Sequence, residues 1–246
     1  MKLLILCLVL TLSTLSAYTQ IGDNYIKLSH NITKENKNIT GFQKIEVSED
    51  FEVYLSFSET SEEVVIESNE NLHDRIIVEK EGDKLKISTK PYSYSYNNRK
   101  KDSGAKEKLV AYITAKKLTE IKGAEDVTFL LKDKLYADNL TIDLDEDTSL
   151  KGYIEAQHLV VLLNEDSTVY LKGGAKSLKV DADEDSIIAG YDFVVGDVDI
   201  QLNEDSVAKL TVNGEINLRA KEDSYFYHKG DGHFNRKHLS GDSEVR

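Results

Sequence analysis

An acidic pair recurs along the C-terminal half of the chain, most often as Glu-Asp-Ser. One such pair could serve glycoside hydrolysis, in which two carboxyl groups flank the scissile bond. That chemistry needs two carboxyls in unlike environments, so that their pKa values separate, whereas repeated copies share like environments. The repetition therefore favours a structural turn over a catalytic dyad. The repeated aspartates are Asp126, Asp147, Asp166, Asp185, Asp205, Asp223 and Asp242.

A stack of aspartates could also hold cations. In stacked repeats the same side chain recurs about every 4.8 Å, and two like charges at that distance repel by roughly 0.9 kcal/mol even in water. Such a column must be exposed, hydrogen-bonded by turn amides or bridged by Ca²⁺, whose oxygen ligands lie about 2.4 Å from the ion. Asp caps turns through its own side chain, so we expect an exposed turn ladder, with weak cation binding as the alternative. The candidate ladder residues are Asp147, Asp166, Asp185, Asp205 and Asp223.

Serine and histidine residues near the turns suggest other chemistry. The serines have no histidine in register, which argues against nucleophilic catalysis. Stacked hydroxyls are expected to bond each other or the turn backbone. His228, His233 and His238 are five residues apart, and odd spacings on a strand point to opposite faces. We therefore interpret the histidines as a solvated edge rather than a metal site, and we predict no cofactor. The serines are Ser167, Ser186, Ser206, Ser224 and Ser243.

The stretch 91–106 is polar and rich in turn residues, which is typical of an exposed loop. It carries Tyr92, Tyr94 and Tyr96 at alternate positions, followed by Arg99 and Lys100. Aromatic rings beside positive charge suit sugars or partner surfaces, so these five residues are candidate ligand-binding residues. The alternative is a tyrosine-rich edge that docks on the body of the protein.

The elements that carry the acidic turns repeat with them. Successive repeated aspartates are 18 to 21 residues apart, and apolar residues precede them at alternate positions. Period two indicates strands with one buried wall, and a short two-strand repeat buries its apolar face only by stacking. We predict an all-β fold, a parallel single-stranded β-solenoid of about 19-residue coils over 116–246, right-handed by the usual crossover rule. A β-sandwich of hairpins would not keep the residue types in phase.

The preceding region, 41–115, is predicted to be rich in strands and to cap the solenoid, because an open solenoid end needs a cover. A Glu-Asp-Phe at 49–51 echoes the repeat. This region is therefore either a degenerate start of the same solenoid or a small packed β unit. Four tyrosines that follow the turns form an outer aromatic stripe or satisfy β propensity. They are Tyr153, Tyr170, Tyr191 and Tyr227.

Residues 1–19 have the pattern of a secretory signal, with Lys2 before a short apolar run, and 20–40 form a leader. The only cysteine, Cys7, lies in that signal. We expect an exported protein of the periplasm, cell surface or medium, without a transmembrane segment after signal removal. The chain has 31 basic and 44 acidic side chains, which argues against nucleic acid as a partner.

Three stretches carry a family resemblance, "FQKIEVSEDFEVYL", "KLTEIKGAEDVTF" and "HKGDGHFNRKHLSGDSEV". With the serial turns, they resemble the auto-transporter adhesin family with a head GIN domain. The resemblance implies a secreted bacterial β-solenoid. We expect a non-catalytic, adhesin-like binding module that presents a repetitive face to glycan or to a surface or matrix protein. A polysaccharide-acting hydrolase or lyase and a purely structural envelope protein are the alternatives.

Overall fold

The computed structural model describes residues 26–92 and 104–246, which form strands and turns with one 3₁₀ turn at Glu70–Leu72. The region 1–19, predicted to be a signal, lies outside the described residues. Within them, the strands are β1 (Ile32–Asn36), β2 (Lys44–Ser48), β3 (Glu52–Phe57), β4 (Glu63–Asn69), β5 (Ile76–Glu81), β6 (Lys84–Thr89), β7 (Leu109–Ala115), β8 (Glu120–Ala124), β9 (Thr128–Leu131), β10 (Leu135–Leu144), β11 (Ser149–Leu163), β12 (Thr168–Ala182), β13 (Ile187–Leu202), β14 (Val207–Val212), β15 (Glu215–Ala220), β16 (Tyr225–Lys229), β17 (His233–Leu239) and β18 (Glu244–Val245).

Successive coils pair in parallel from β8 and β9 to the C-terminus. Leu159 of β11 lies opposite Leu178 of β12, which lies opposite Val198 of β13. The residue numbers in this column advance by 19 and then by 20, as the repeat in the sequence does. The predicted all-β parallel solenoid with coils of about 19 residues is therefore confirmed.

The core is a set of inward columns that run along the solenoid axis. Phe129, Leu150, Val169 and Ile188 occupy one column, and each is completely buried. Burying a side chain of this size stabilises the fold by about 1.5–3 kcal/mol. Outward residues alternate with these along each strand, so the residues of the outer face are not constrained by packing in the core.

The N-terminal strands join the solenoid out of sequence order. β2 pairs with β8 and β3 with β9, both in parallel, so 44–57 forms a coil of the same solenoid. On the other side of that coil, β6 pairs with β2 and β7 with β3, again in parallel. The coil built from β6 and β7 therefore lies outside the coil built from β2 and β3, although it follows it in the chain.

Antiparallel strands close this outer end. β4 pairs with β7, β1 pairs with β4, and β5 pairs with β6, each in antiparallel orientation. Reversing the strand direction ends the parallel stack and covers an edge that would otherwise offer unpaired backbone groups. No helix in the described part of the chain is long and apolar enough to cross a membrane.

Candidate functional site

The acidic turns form one continuous column along the solenoid. In each of seven turns both the Glu and the Asp have positive φ, between 41° and 70°, which is the requirement of a type I′ turn at its two central residues. The Asp166 amide donates to the Glu184 carbonyl at 2.8 Å, and the Asp185 amide donates to the Glu204 carbonyl at 2.8 Å. The turns therefore stack through their backbone, and each coil fixes the turn of the next.

The side chains of this acidic column point to solvent. Glu and Asp are exposed in the turns from Glu125 to Asp223, which is what an exposed turn ladder requires. In the described ranges, no three His, Cys, Asp or Glu side chains are grouped so that they could hold a metal ion. The carboxylates of these turns therefore form a row along the solenoid, and most of them have similar, exposed surroundings.

Repulsion within the column is visible at two positions. Asp183 raises the pKa of Glu204, with smaller contributions from burial and from Glu222 and other acids of the turns. At the N-terminal end of the column, burial raises the pKa of Asp50, and Asp126 adds to it. Both shifts have the same direction, because burial and neighbouring acids each disfavour the charged carboxylate.

Four of the acidic pairs are followed by a serine that lies beneath the turn. Ser167, Ser186, Ser206 and Ser224 are completely buried. The expectation that the five serine hydroxyls bond the backbone is correct for Ser224, which donates to the Lys221 carbonyl, and for Ser243, which donates to the Ser240 carbonyl. It is wrong for the other three, whose hydroxyls have no hydrogen-bond partner among the described residues.

One of the five loop candidates lies among the described residues. Tyr92 is half-buried, packs against the core and donates a hydrogen bond to Glu107. The remaining candidates lie outside the described residues: Tyr94, Tyr96, Arg99 and Lys100.

The three C-terminal histidines occupy different surroundings. His228 stacks on Phe226 at 5.5 Å between ring centroids and meets the edge of Phe234 at 5.3 Å. His233 and His238 lie on the exposed strand β17. The ring contacts give His228 a packing role at the end of the core.

A groove that was not predicted crosses five successive coils on the outer face. One of its walls is a column of paired residues, and neighbouring coils are about 4.8 Å apart, so the groove is about 19 Å long. Its volume is about 820 Å³. We call it the axial groove. Its wall column is Leu130, Lys151, Tyr170, Ala189 and Lys209.

The floor of the axial groove is apolar. Leu130, Leu131 and Leu171 line it, together with Gly152 and Gly190. A Cβ at Gly190 would lie 2.3 Å from the Leu171 carbonyl oxygen, and one at Gly152 would lie 2.5 Å from the Leu131 Cβ. The two glycines therefore keep the floor open where any side chain would collide with it.

A bulge in β13 builds one rim of the axial groove. The pairing of β13 with β12 shifts between Tyr170 and Gly173, and its pairing with β14 shifts between Gly190 and Val194. Within this bulge Phe193 is buried, whereas Tyr191 is 39% exposed. A bulge re-aims side chains, and here it places Tyr191 and Asp192 beside the groove.

The exposed aromatic and basic side chains of the groove come from separate coils. Tyr170 is 49% exposed, and four lysines, all of them exposed, complete the lining. The described residues give no hydrogen-bond partner for the Tyr170 hydroxyl. Tyr170 and the lysines other than Lys172, which pairs with Asp192, therefore remain available to a ligand. The lysines are Lys132, Lys151, Lys172 and Lys209.

A sequence signal for the groove existed. The residue four positions after each repeated Asp faces outward and is apolar, aromatic or basic. The predicted tyrosine stripe includes Tyr170 and Tyr227 of this column, but not its lysines. The residues at this position are Tyr54, Leu130, Lys151, Tyr170, Ala189, Lys209, Tyr227 and Arg246.

Comparison with known proteins agrees with this architecture. The family described as "putative auto-transporter adhesin, head GIN domain" matches residues 41–232. A putative adhesin from Bacteroides fragilis has a TM-score of 0.70 at 20% identity, covering 89% of this chain and 97% of the other. A putative adhesin from Parabacteroides distasonis has a TM-score of 0.69 at 13% identity, covering 90% and 99%.

A third solved structure, a putative lipid binding protein from Parabacteroides distasonis, has a TM-score of 0.64 at 16% identity, covering 90% of this chain and 98% of the other. At these identities the structures share the fold. No curated protein matches the chain. The family match spans most of the chain and the solenoid that it implies is the one observed, so the chain belongs to the auto-transporter adhesin family with a head GIN domain.

Proposed function

We propose that this chain is a non-catalytic, adhesin-like module of the cell envelope or surface that binds an extended glycan along the axial groove. Family membership supports an adhesin-like role at the surface or outside the cell. The observation that carries the proposal is an open groove about 19 Å long with exposed Tyr170 and Tyr191 beside an apolar floor. Aromatic faces of this kind pack on the apolar faces of sugars.

The direction of the groove suits a linear chain. Its lining residues come from five coils, and it runs across the strands, parallel to the solenoid axis. A polymer could enter at one end and leave at the other. We propose the same direction for the bound glycan.

The lining argues for binding without turnover. The only carboxylate among the described lining residues is Asp192, which forms an ion pair with Lys172 at 3.5 Å. Glycoside hydrolysis uses two carboxyl groups on either side of the bond. A role in recognition needs no such pair, which is why we place the chain among binding modules.

A glycan array followed by titration tests the proposal. Tyr170→Ala and Tyr191→Ala should each weaken binding of any captured glycan about two- to twelvefold, the range expected for loss of one aromatic contact. Tyr136→Ala is the matched control, because Tyr136 is 66% exposed but lies outside the axial groove. Equal losses in all three variants, or capture of no glycan at all, would refute the proposal and leave a structural envelope role.

A further inference from the structure

We infer that the glycan of the axial groove is anionic, with carboxylate or sulfate groups on a linear chain. This inference rests on the proposed function and adds the charge of the ligand. It comes from the positive charge of the groove, from the three of its four lysines that no carboxylate pairs, and from the spacing of the lysines.

The groove lining carries a net positive charge, whereas the protein as a whole is negatively charged. The chain has a formal net charge of −13, yet four lysines and only one carboxylate line the groove. That carboxylate, Asp192, already pairs with Lys172. A surface that collects positive charge on an acidic protein is complementary to an anionic partner.

Two of the lysines lie over aromatic rings, whereas one forms an ion pair with a carboxylate. Lys132 lies 4.1 Å from the ring centroid of Tyr54, and Lys209 lies 5.6 Å from that of Tyr227. Lys151 has neither an ion pair nor a hydrogen bond among the described residues. Contacts with rings orient an ammonium group without neutralising it, so the charge remains for a ligand.

The lysines are spaced along the groove rather than gathered at one point. Lys151 and Lys209 share the wall column and are three coils apart, which is about 14 Å at the usual strand spacing. Tyr170 and Ala189 lie between them in the same column. This arrangement fits a chain that carries several anionic groups along its length, with sugar rings packed between the lysines.

Neutral glycans fit the lining less well. Sugar hydroxyls need both donors and acceptors, and in the described lining only Tyr170, Tyr191 and Asp192 have side-chain oxygens that can accept. Lysine ammonium groups donate only. The polar part of the groove is therefore suited to acceptor groups with negative charge.

Two polymers with the same backbone test the inference. Polygalacturonate is carboxylated, and its fully methyl-esterified form is neutral. At about 0.15 M salt the acidic polymer should bind at least tenfold more tightly. That advantage should shrink towards about 1 M salt, as the screening length falls from about 8 to 3 Å. Lys151→Gln and Lys209→Gln should each weaken acidic binding by about two- to fivefold. Lys179→Gln, an exposed lysine of β12 outside the groove, should change nothing.

A charge placed in the middle of the wall column gives a sharper test. Ala189→Glu puts a carboxylate between Tyr170 and Lys209, and it should weaken polygalacturonate at least tenfold. Ala189→Gln adds nearly the same bulk without the charge, so it should weaken binding at least threefold less than Ala189→Glu does. Equal losses from both variants would show that bulk matters and charge does not, which would overturn the inference.

The outcomes separate this inference from the proposed function. Equal, salt-independent binding of both polymers would refute an anionic ligand and keep glycan binding. Binding of neither polymer, in a protein whose glycan array is also empty, would refute both. Tighter binding of polyglutamate, or of vesicles with anionic lipid, than of polygalacturonate would overturn the inference in favour of an acidic polypeptide or a lipid.

Discussion

Replacing Ser186 by alanine should stabilise the protein, whereas the same change at Ser224 should destabilise it. The two serines occupy the same position beneath acidic turns two coils apart, and both are completely buried. The Ser224 hydroxyl donates to the Lys221 carbonyl. The Ser186 hydroxyl has no partner among the described residues.

The magnitudes follow from this difference. A buried hydroxyl without a partner costs about 1–3 kcal/mol, and a satisfied hydrogen bond contributes about 0.5–1.5 kcal/mol. We therefore expect Ser186→Ala to raise the free energy of unfolding by about 1 kcal/mol and Ser224→Ala to lower it by about 1 kcal/mol. Two coils separate the sites by about 10 Å, so the double variant should lie near the unmodified protein.

Urea unfolding followed by far-ultraviolet circular dichroism measures both free energies, since the chain has no tryptophan to report by fluorescence. Ser206→Ala serves as a second copy of the first variant, because its hydroxyl is also unpartnered. A loss of 1 kcal/mol or more in Ser186→Ala would show that its hydroxyl does form a bond. It would refute the reasoning.

Three further changes probe the acidic column. Glu184 has a φ of 48°, so Glu184→Gly should unfold at a higher urea concentration than Glu184→Ala, because alanine keeps the left-handed strain of about 1–2 kcal/mol; equal midpoints would contradict this. Glu204→Gln should be more stable than the unmodified protein at pH 7 and low salt. Its advantage should fade as the pH falls through the raised pKa of Glu204, because protonation then removes the same repulsion; a constant difference across the pH series would contradict this. Calcium at millimolar concentration should raise the melting temperature no more than magnesium does; a calcium-specific rise that Asp185→Asn abolishes would establish a metal site.

The sequence predicted the solenoid because its main signals are local and periodic. Apolar residues at alternate positions define the inward columns, and the acidic turn marks where each coil bends. The exposure of the acidic pairs also follows from electrostatics, since stacked charges are tolerated only in water. These features depend only on one coil and the coils next to it, so the repeated sequence is enough to predict them.

The order of the N-terminal coils could not be predicted in the same way. β6 and β7 have the same alternation as β2 and β3, and alternation does not state which coil a strand will pair with. In the observed order, the antiparallel strands β4 and β5 pair with β7 and β6 of the outer coil. Which coil each strand pairs with therefore depends on how all the strands at this end of the solenoid pack together.

The axial groove was missed for a related reason. Its wall takes one residue from each of five coils, and its rim depends on a bulge at Tyr191 and Asp192. Two glycines keep the floor open only because of what lies opposite them in the neighbouring coil. The column of residues four positions after each Asp carried part of the signal. Its meaning depended on knowing that those residues face outward beside a concave floor.

The acidic column and the axial groove can lie on the same coils because dissolved salt screens the acidic charges from a ligand in the groove. Asp166 and Tyr170 are four residues apart, which is about 13 Å along a strand. The screening length is about 8 Å at physiological ionic strength and about 30 Å at 0.01 M. In physiological salt an anion in the groove therefore responds mainly to the nearby lysines, whereas in dilute buffer the acidic column opposes its entry. The turns can stay acidic, and keep the protein soluble through their net charge, without closing the groove to an anionic chain.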